Sequence, residues 1–295
     1  MTPLKLLTGT VLNRQMVTPG MVRITLGGQG LKNLISTGVG DEYIRLFFPD
    51  RDTGDVVLPE IDEKGHWKYP EGKTPAHCEC YTIRNARPGE IDLDFVVHDH
   101  GQASAWAQSA KIGDTIVIRE PHPIYDAPAD MNWLLLACDA TGLPAVGRLV
   151  EQLAPHVEVS VIAEVPDASH EQLFETRANL KVIWLHGAGN GVGPTQIPEA
   201  VRAVSIPADK SVYVWVAAEM KSVRAVRKYL RHELEWPSAR YSATGYWTDK
   251  RTDWNARWEA LDPAVKKKID ALWGSGRDGE EVTDEVEAAL EKFGL

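Results

Sequence analysis

Up to about Tyr125 the chain alternates hydrophobic and polar positions in short runs, the period-two pattern of half-buried strands. In Met21-Val22-Arg23-Ile24-Thr25-Leu26, the residues Met, Arg and Thr interleave with Val, Ile and Leu. Tyr43 to Phe48 ahead of Pro49, Cys80 to Arg84 ahead of the turn Pro88-Gly89, Glu90 to His98, and Thr115 to Ile118 also read as strands. Within Glu90 to His98, Ile91, Leu93, Phe95 and Val97 point one way while Asp92 and Asp94 point the other. One helical interlude, Ser104 to Ala110, precedes the turn Lys111-Ile112-Gly113-Asp114. Strand after strand with no long helix between them predicts a small antiparallel barrel.

The segment Pro121 to Pro128 interrupts this pattern, because each proline removes a donor and biases its predecessor toward extended geometry. Beyond it, apolar strands alternate with helices. The strands are Trp133 to Cys138, Val157 to Val165, Val182 to His186 and Val212 to Ala218; the helices run from about Pro144 to Leu153 and from Val223 to Leu234. This order predicts a parallel sheet covered on both faces. After about residue 258 come two acidic, helix-prone pieces, Ala264 to Trp273 and Val282 to Phe293, joined by Gly274-Ser275-Gly276. In the second, Val282, Val286, Ala289, Leu290 and Phe293 recur at helical spacing, so this tail is expected to dock on the preceding domain or on a second subunit. The pattern divides the chain into residues 1–127, 132–258 and 259–295.

Composition narrows the function classes. At 295 residues the chain has room for two domains of roughly 150 residues each. A formal charge of −10 repels a phosphate backbone and argues against nucleic acid as a partner. No apolar run approaches the ~18 residues of a membrane span, and Met1 to Leu7 lacks the apolar core and cleavage site of a signal peptide, so the expected location is cytoplasmic. The three cysteines, Cys78, Cys80 and Cys138, are too few for a disulfide framework or an ordinary iron–sulfur cluster, and no histidine set completes a metal site. A redox role would therefore rest on an organic cofactor.

Local chemistry is concentrated in the barrel half. The glycine cluster Gly187 to Gly193 follows a strand but fails the dinucleotide register, since Val192 stands where a third glycine is needed, and it reads as a surface loop. No G-x-S-x-G occurs to support a hydrolase. Tyr81-Thr82-Ile83-Arg84 offers an aromatic ring, a hydroxyl and a guanidinium along one strand, suited to a flat heterocycle and an anion. Downstream, His98-Asp99-His100-Gly101-Gln102-Ala103-Ser104 turns into a helix whose first N–H groups and dipole favour a pyrophosphate. Ordinary packing of Tyr81, a solvated Arg84 and a helix-capping Ser104 account for the same residues equally well.

Taken in order, these segments resemble the siderophore-interacting proteins, the flavin-dependent ferric-siderophore reductases of the ferredoxin-reductase-like superfamily. The resemblance runs to about residue 252. It rests on Tyr81 to Arg84, Leu93 to His98 with Gly101, Ala103, Ser104 and Trp106, Gly113-Asp114, Asp139 to Ala145, Ala218-Glu219 ahead of a basic helix, and Gly245-Tyr246-Trp247. It implies a two-domain ferredoxin-reductase-like fold, an N-terminal antiparallel flavin-binding β-barrel and a C-terminal α/β parallel-sheet nucleotide-binding domain. The implied reaction carries hydride from NADH or NADPH to FAD and then single electrons to chelated Fe(III), releasing Fe(II). Ferredoxin is an alternative donor. Rival readings are a flavin reductase of this fold with another acceptor and a non-catalytic binding protein for the ferric chelate. A monomer is the expected form.

The resemblance also implies site residues. Tyr81, Thr82, Ile83 and Arg84, with Val97, His98, Gly101, Ala103 and Ser104, would hold FAD, and Trp247 would stack near the flavin. Asp139 and Thr141 would face the nicotinamide. Arg45, Lys250 and Arg251 would bind an anionic ferric siderophore, for which an acidic protein needs a local basic patch. Arg224, Arg227, Lys228 and Arg231 share a helix face suited to a cofactor phosphate or to solvent. The chain departs from the family's usual pattern at Glu79, where a base is customary, at Gln102 and Ala140, and in Thr248-Asp249 after the Gly-Tyr-Trp motif.

Overall fold

A computed structural model describes residues 6–61, 67–99, 101–273, 277 and 279–295. Met1 to Lys5 at the chain start, His100 and the Gly274-Ser275-Gly276 joint lie outside the described residues. The chain forms two compact units, Met1–Tyr246 and Trp247–Leu295, so the second begins ahead of residue 259, where the acidic pattern sets in.

The first unit opens with a closed barrel. Its strands are β1 (Leu6–Thr18), β2 (Met21–Gly27), β3 (Tyr43–Phe48), β6 (His77–Arg87), β7 (Glu90–Val96) and β8 (Thr115–Arg119), in the order β1-β2-β7-β6-β3-β8. A two-stranded excursion, β4 (Glu60–Ile61) and β5 (Trp67–Lys68), lies between β3 and β6, and helix α1 (Gln102–Ser109) lies between β7 and β8. Val22, Ile24, Ile44, Leu46, Ile83, Leu93 and Phe95 fill the barrel core, as period-two alternation requires. Closure leaves the barrel without an open edge.

The outer face of β7 differs from a solvated one. Asp92 and Asp94 are buried, because Arg23 across the β2–β7 ladder forks onto Asp94 at 2.6 and 2.8 Å while Arg87 and Thr25 bond to Asp92. On β6 the ladder to β7 slips by one residue between Ile83 and Asn85, which makes Arg84 the extra residue of a β-bulge.

The remainder of this unit is a five-stranded sheet in the order β11 (Asn179–His186), β10 (Glu158–Val165), β9 (Trp133–Cys138), β12 (Val212–Glu219), β13 (Tyr241–Trp247). Strands β9 to β12 pair in parallel. All of Trp133–Cys138 is buried, as expected of a strand covered on both faces. Helix α2 (Leu143–Glu151) packs on one face, and α3 (Ile197–Arg202) with α4 (Met220–Lys228) on the other. The predicted helix from Val223 to Leu234 divides: α4 ends at Lys228 and one π-helical turn, Tyr229–Glu233, follows. Arg227 on its basic face is buried.

The second unit holds α5 (Arg251–Glu259), α6 (Pro263–Trp273) and α7 (Gly279–Glu291). Its core is built from Ile269, Val282, Val286, Leu290 and Leu295, with Trp254 and Trp258 stacked at 5.8 Å. No helix among the described residues is long and apolar enough to cross a membrane.

Candidate functional site

The barrel end carries an aromatic cluster. Tyr81 lies against Phe95 with ring centroids 4.2 Å apart, and Phe48 and Trp106 close around the pair. Burial, then the Glu79 carboxylate, push the Tyr81 phenol well above its ordinary value. Glu79 does not stand as a bare anion there, because the His77 imidazole lies 2.7 Å from it.

Beside the cluster, β7 turns into α1. Gly101 takes φ +93, and a Cβ there would sit 2.9 Å from His98 Cε1, so only glycine makes this turn without strain. Ser104 is buried, but it does not cap the helix. Its hydroxyl donates to the His98 carbonyl at 2.9 Å and accepts from the His98 N–H at 3.0 Å, stapling the turn. Val97 and Ala103 pack onto the barrel core behind it. Gln102 donates to the Pro49 carbonyl, and Arg51 donates to the Gly101 carbonyl at 2.6 Å. Arg51 thus brings a guanidinium to the first turn of α1, a position nothing in the local sequence marks.

Thr82 and Arg84 face away from the barrel core. Thr82 is hydrogen-bonded to the Tyr246 hydroxyl. Arg84 forks onto Glu151 of α2 at 3.0 and 2.5 Å and lies against Gly147, so its guanidinium is engaged between barrel and sheet. Its place on the bulge explains this aim. In return Arg148 of α2, almost fully buried, pairs with Glu42 at 2.8 Å and donates to the Ile83 carbonyl at 2.7 Å. Asp41, wholly buried, accepts from the backbone N–H groups of Ile124 and Tyr125 and from Trp215 Nε1 at 2.9 Å.

Asp139 and Thr141 follow the carboxyl end of β9, the end at which open parallel sheets place their ligand crevice. They act on each other and on the loops. Asp139 Oδ1 accepts from the Thr141 N–H and hydroxyl, and Oδ2 accepts from the Glu219 N–H at 3.0 Å. Gly142 permits the approach of this turn to β12, since a Cβ would meet the Ala217 carbonyl at 2.8 Å. The Gly187–Gly193 segment is more than a surface loop: Asn190 accepts from the Ala140 N–H, and Gly189 lies against buried Glu164. Burial, aided by Asp139, raises the Glu164 carboxyl against the hydrogen bonds from Gln196 and Thr195.

The outer barrel face around Arg45 is basic and aromatic. Arg45 and Arg119 both lie over the Trp67 ring, at 5.3 and 5.7 Å. The Nε atoms of both arginines and Nε2 of His122 are buried without a hydrogen-bond partner. Cys78 lies beside Arg45, and burial pushes its thiol up to about 11; Cys80 on the same strand face is exposed. Trp247, Lys250 and Arg251 belong to the second unit, where Lys250 takes φ +51 ahead of α5 and Arg251 opens that helix. No group of three or more His, Cys, Asp or Glu among the described residues is arranged to hold a metal ion.

Sequence comparison agrees with this layout. The chain matches the siderophore-interacting FAD-binding domain family over residues 10–124 and the siderophore-interacting protein family over residues 131–250. It is 30% identical to the NADPH-dependent ferric-chelate reductase of Escherichia coli K12, over 82% of this chain and 92% of that one. It is 29% identical to a ferric vibriobactin reductase of Vibrio cholerae, over 80% and 87%. Among solved structures, a siderophore utilization protein from T. fusca superposes with a TM-score of 0.74 at 29% identity, covering 85% of this chain and 95% of that one.

Proposed function

Because the chain belongs to the siderophore-interacting protein family, we propose that it is a cytoplasmic FAD-dependent reductase that takes electrons from NADPH or NADH and reduces iron held in a ferric siderophore. The observation that carries this reading is mechanical. Helix α2 starts at the crevice turn Asp139 to Gly142 and ends on the Tyr81-Thr82-Ile83-Arg84 strand, so a nucleotide and a flavin would be bound by parts of one rigid connection.

The residues fit FAD. The glycine-dependent turn at Gly101, the first-turn N–H groups of α1 and the Arg51 guanidinium suit a pyrophosphate, and the Tyr81 ring, backed by Phe95, suits a flat ring system. Bound FAD supplies the conversion between a two-electron nicotinamide donor and one-electron reduction of ferric iron. Thr82, fixed by Tyr246, would hydrogen-bond the ring, and Ser104 would act indirectly by holding the turn. Asp139 and Thr141 would shape the nicotinamide crevice and not touch the reacting carbon.

An anionic chelate would dock at Arg45 with Arg119. Their orphaned buried Nε atoms and the Trp67 face between them favour a ligand that is both negatively charged and aromatic, such as a catecholate. Iron is released because Fe(II) binds hard oxygen donors less tightly than Fe(III) does.

The test is a visible spectrum of purified protein supplied with FAD, followed by anaerobic NADH or NADPH and then a ferric catecholate. A bound-flavin spectrum that bleaches with nucleotide and recovers with the chelate is expected. Failure to retain flavin overturns the reading, and bleaching without recovery points to another acceptor.

A further inference from the structure

Two arginines run in opposite directions between β6 and α2, and they meet on the same four-residue segment. Arg84 leaves the segment for Glu151 near the end of α2, while Arg148 leaves α2 for the Ile83 carbonyl inside the segment. Ile83 is held from both sides, because its own N–H donates to the Glu42 carbonyl at 2.9 Å and the Glu42 side chain pairs with Arg148. Glu42 is saturated: Ser36 and Arg148 serve Oε1, and the Thr37 N–H and hydroxyl serve Oε2. The bulge at Arg84 shifts the β7 ladder at this point, which gives the Ile83 carbonyl an acceptor role toward another element.

A buried, fully hydrogen-bonded ion pair adds little net stability compared with apolar packing of the same volume, but it accepts only one arrangement of its members. The segment so fixed carries Tyr81 and Thr82. The helix that fixes it begins at Leu143, directly after Gly142, the residue that ends the turn from Asp139. Leu143 to Val150 are all buried, so α2 is packed along nearly its whole length.

We propose that Arg148 and Glu151 are positioning residues for the donor half-reaction: through α2 they set the distance between the nicotinamide crevice and the flavin-facing strand. The inference rests on the reductase reading above. The acceptor side is assigned to other residues, Arg45 and Arg119, which lie over the Trp67 ring at 5.3 and 5.7 Å. A displacement of about 1 Å between reacting groups costs on the order of a hundredfold in rate, so a loosened clasp should register strongly in one half-reaction.

The experiment uses the full chain loaded with FAD and the variants Glu151→Gln and Arg148→Lys, with the charge swap Arg84→Glu/Glu151→Arg as rescue. Stopped-flow measurement separates flavin reduction by NADPH from reoxidation by a ferric catecholate. FAD affinity is read by fluorescence, and amide exchange of residues 79–84 is followed in the flavin-free protein. The expected result is a loss of roughly tenfold or more in the reduction rate, with FAD affinity and reoxidation unchanged, faster exchange at Ile83, and partial recovery in the swap. Equal losses in both half-reactions, or unchanged reduction together with unchanged exchange, would overturn the proposal. Glu151→Gln keeps the test open if Arg148→Lys fails to fold, because Glu151 is partly exposed. A wild-type protein that binds FAD but is not reduced by either nucleotide would overturn the reductase reading instead, and the exchange data would still decide whether the clasp holds the strand.

Discussion

Asp41 is the most economical place to weigh the connection between barrel and sheet. Its carboxylate is wholly buried and takes three N–H donors, from Ile124 at 3.1 Å, Tyr125 at 2.7 Å and Trp215 Nε1 at 2.9 Å. In Asp41→Asn the amide oxygen keeps the two backbone donors, and the new NH2 then faces the indole N–H. Losing a hydrogen bond to a charged group costs about 1.5–3 kcal/mol, and an orphaned buried donor adds about 1–3 kcal/mol. The expected destabilisation is therefore about 2.5–6 kcal/mol. Trp215→Phe loses the same bond and leaves a small void, for about 3 kcal/mol. The double variant relieves the facing donors, so its cost should fall short of the sum by at least about 1 kcal/mol. Urea denaturation followed by circular dichroism measures all four proteins, with equal m-values required for comparison. Additivity within about 0.5 kcal/mol would show that the two residues do not communicate and would refute the reasoning.

Ser104→Ala should remove both hydrogen bonds that staple the His98 backbone, lowering stability by about 2 kcal/mol and weakening FAD binding several-fold in a fluorescence titration; retained affinity would mean the turn holds without its staple. A pH effect is expected at Asp92, where burial works against the charged form but the hydrogen bonds from Arg87 and Thr25 outweigh it and set the carboxyl below its ordinary value. A depressed acid stabilises the fold above the unfolded carboxyl range and loses that contribution as pH falls through the folded value. Thermal unfolding should accordingly steepen below about pH 4, and Asp92→Asn should flatten that slope; parallel slopes in the two proteins would exclude Asp92 as a source.

Much of this architecture is legible in the residues themselves. Tyr43–Phe48 and Trp133–Cys138 occupy the spans their patterns predict, since one alternates through Leu46 and stops ahead of Pro49 and the other is continuously apolar. β1 escapes the same reading. Its register slips between Val11 and Asn13 and again between Met16 and Thr18, so the alternation that marks a strand is broken twice. α5 escapes because it buries no residue fully and so shows no apolar stripe beyond Trp254 and Trp258. At the site, Tyr81, Gly101 and Asp139 announce themselves through local motifs. Asp41 and Glu42 do not, because their partners Trp215 and Arg148 are remote in sequence and only the fold brings them together. Arg148 alone gives a hint: a single charge inside the apolar run Leu143 to Val150 needs a buried partner. The role of Arg84 was hidden by the bulge, which no residue type encodes.

The same bulge insulates one half of β6 from the other. Ahead of it, odd-numbered residues such as Tyr81 and Ile83 turn toward the barrel interior; behind it, the even-numbered Ala86 does. The strand therefore has two phases, joined at a residue that belongs to neither. A hairpin tip that lengthens or shortens around Pro88-Gly89 can be absorbed in the second phase without rotating Tyr81 or Thr82 out of place. A single-residue deletion between His77 and Ile83 has no such buffer, and would turn the aromatic ring outward and the hydroxyl inward together.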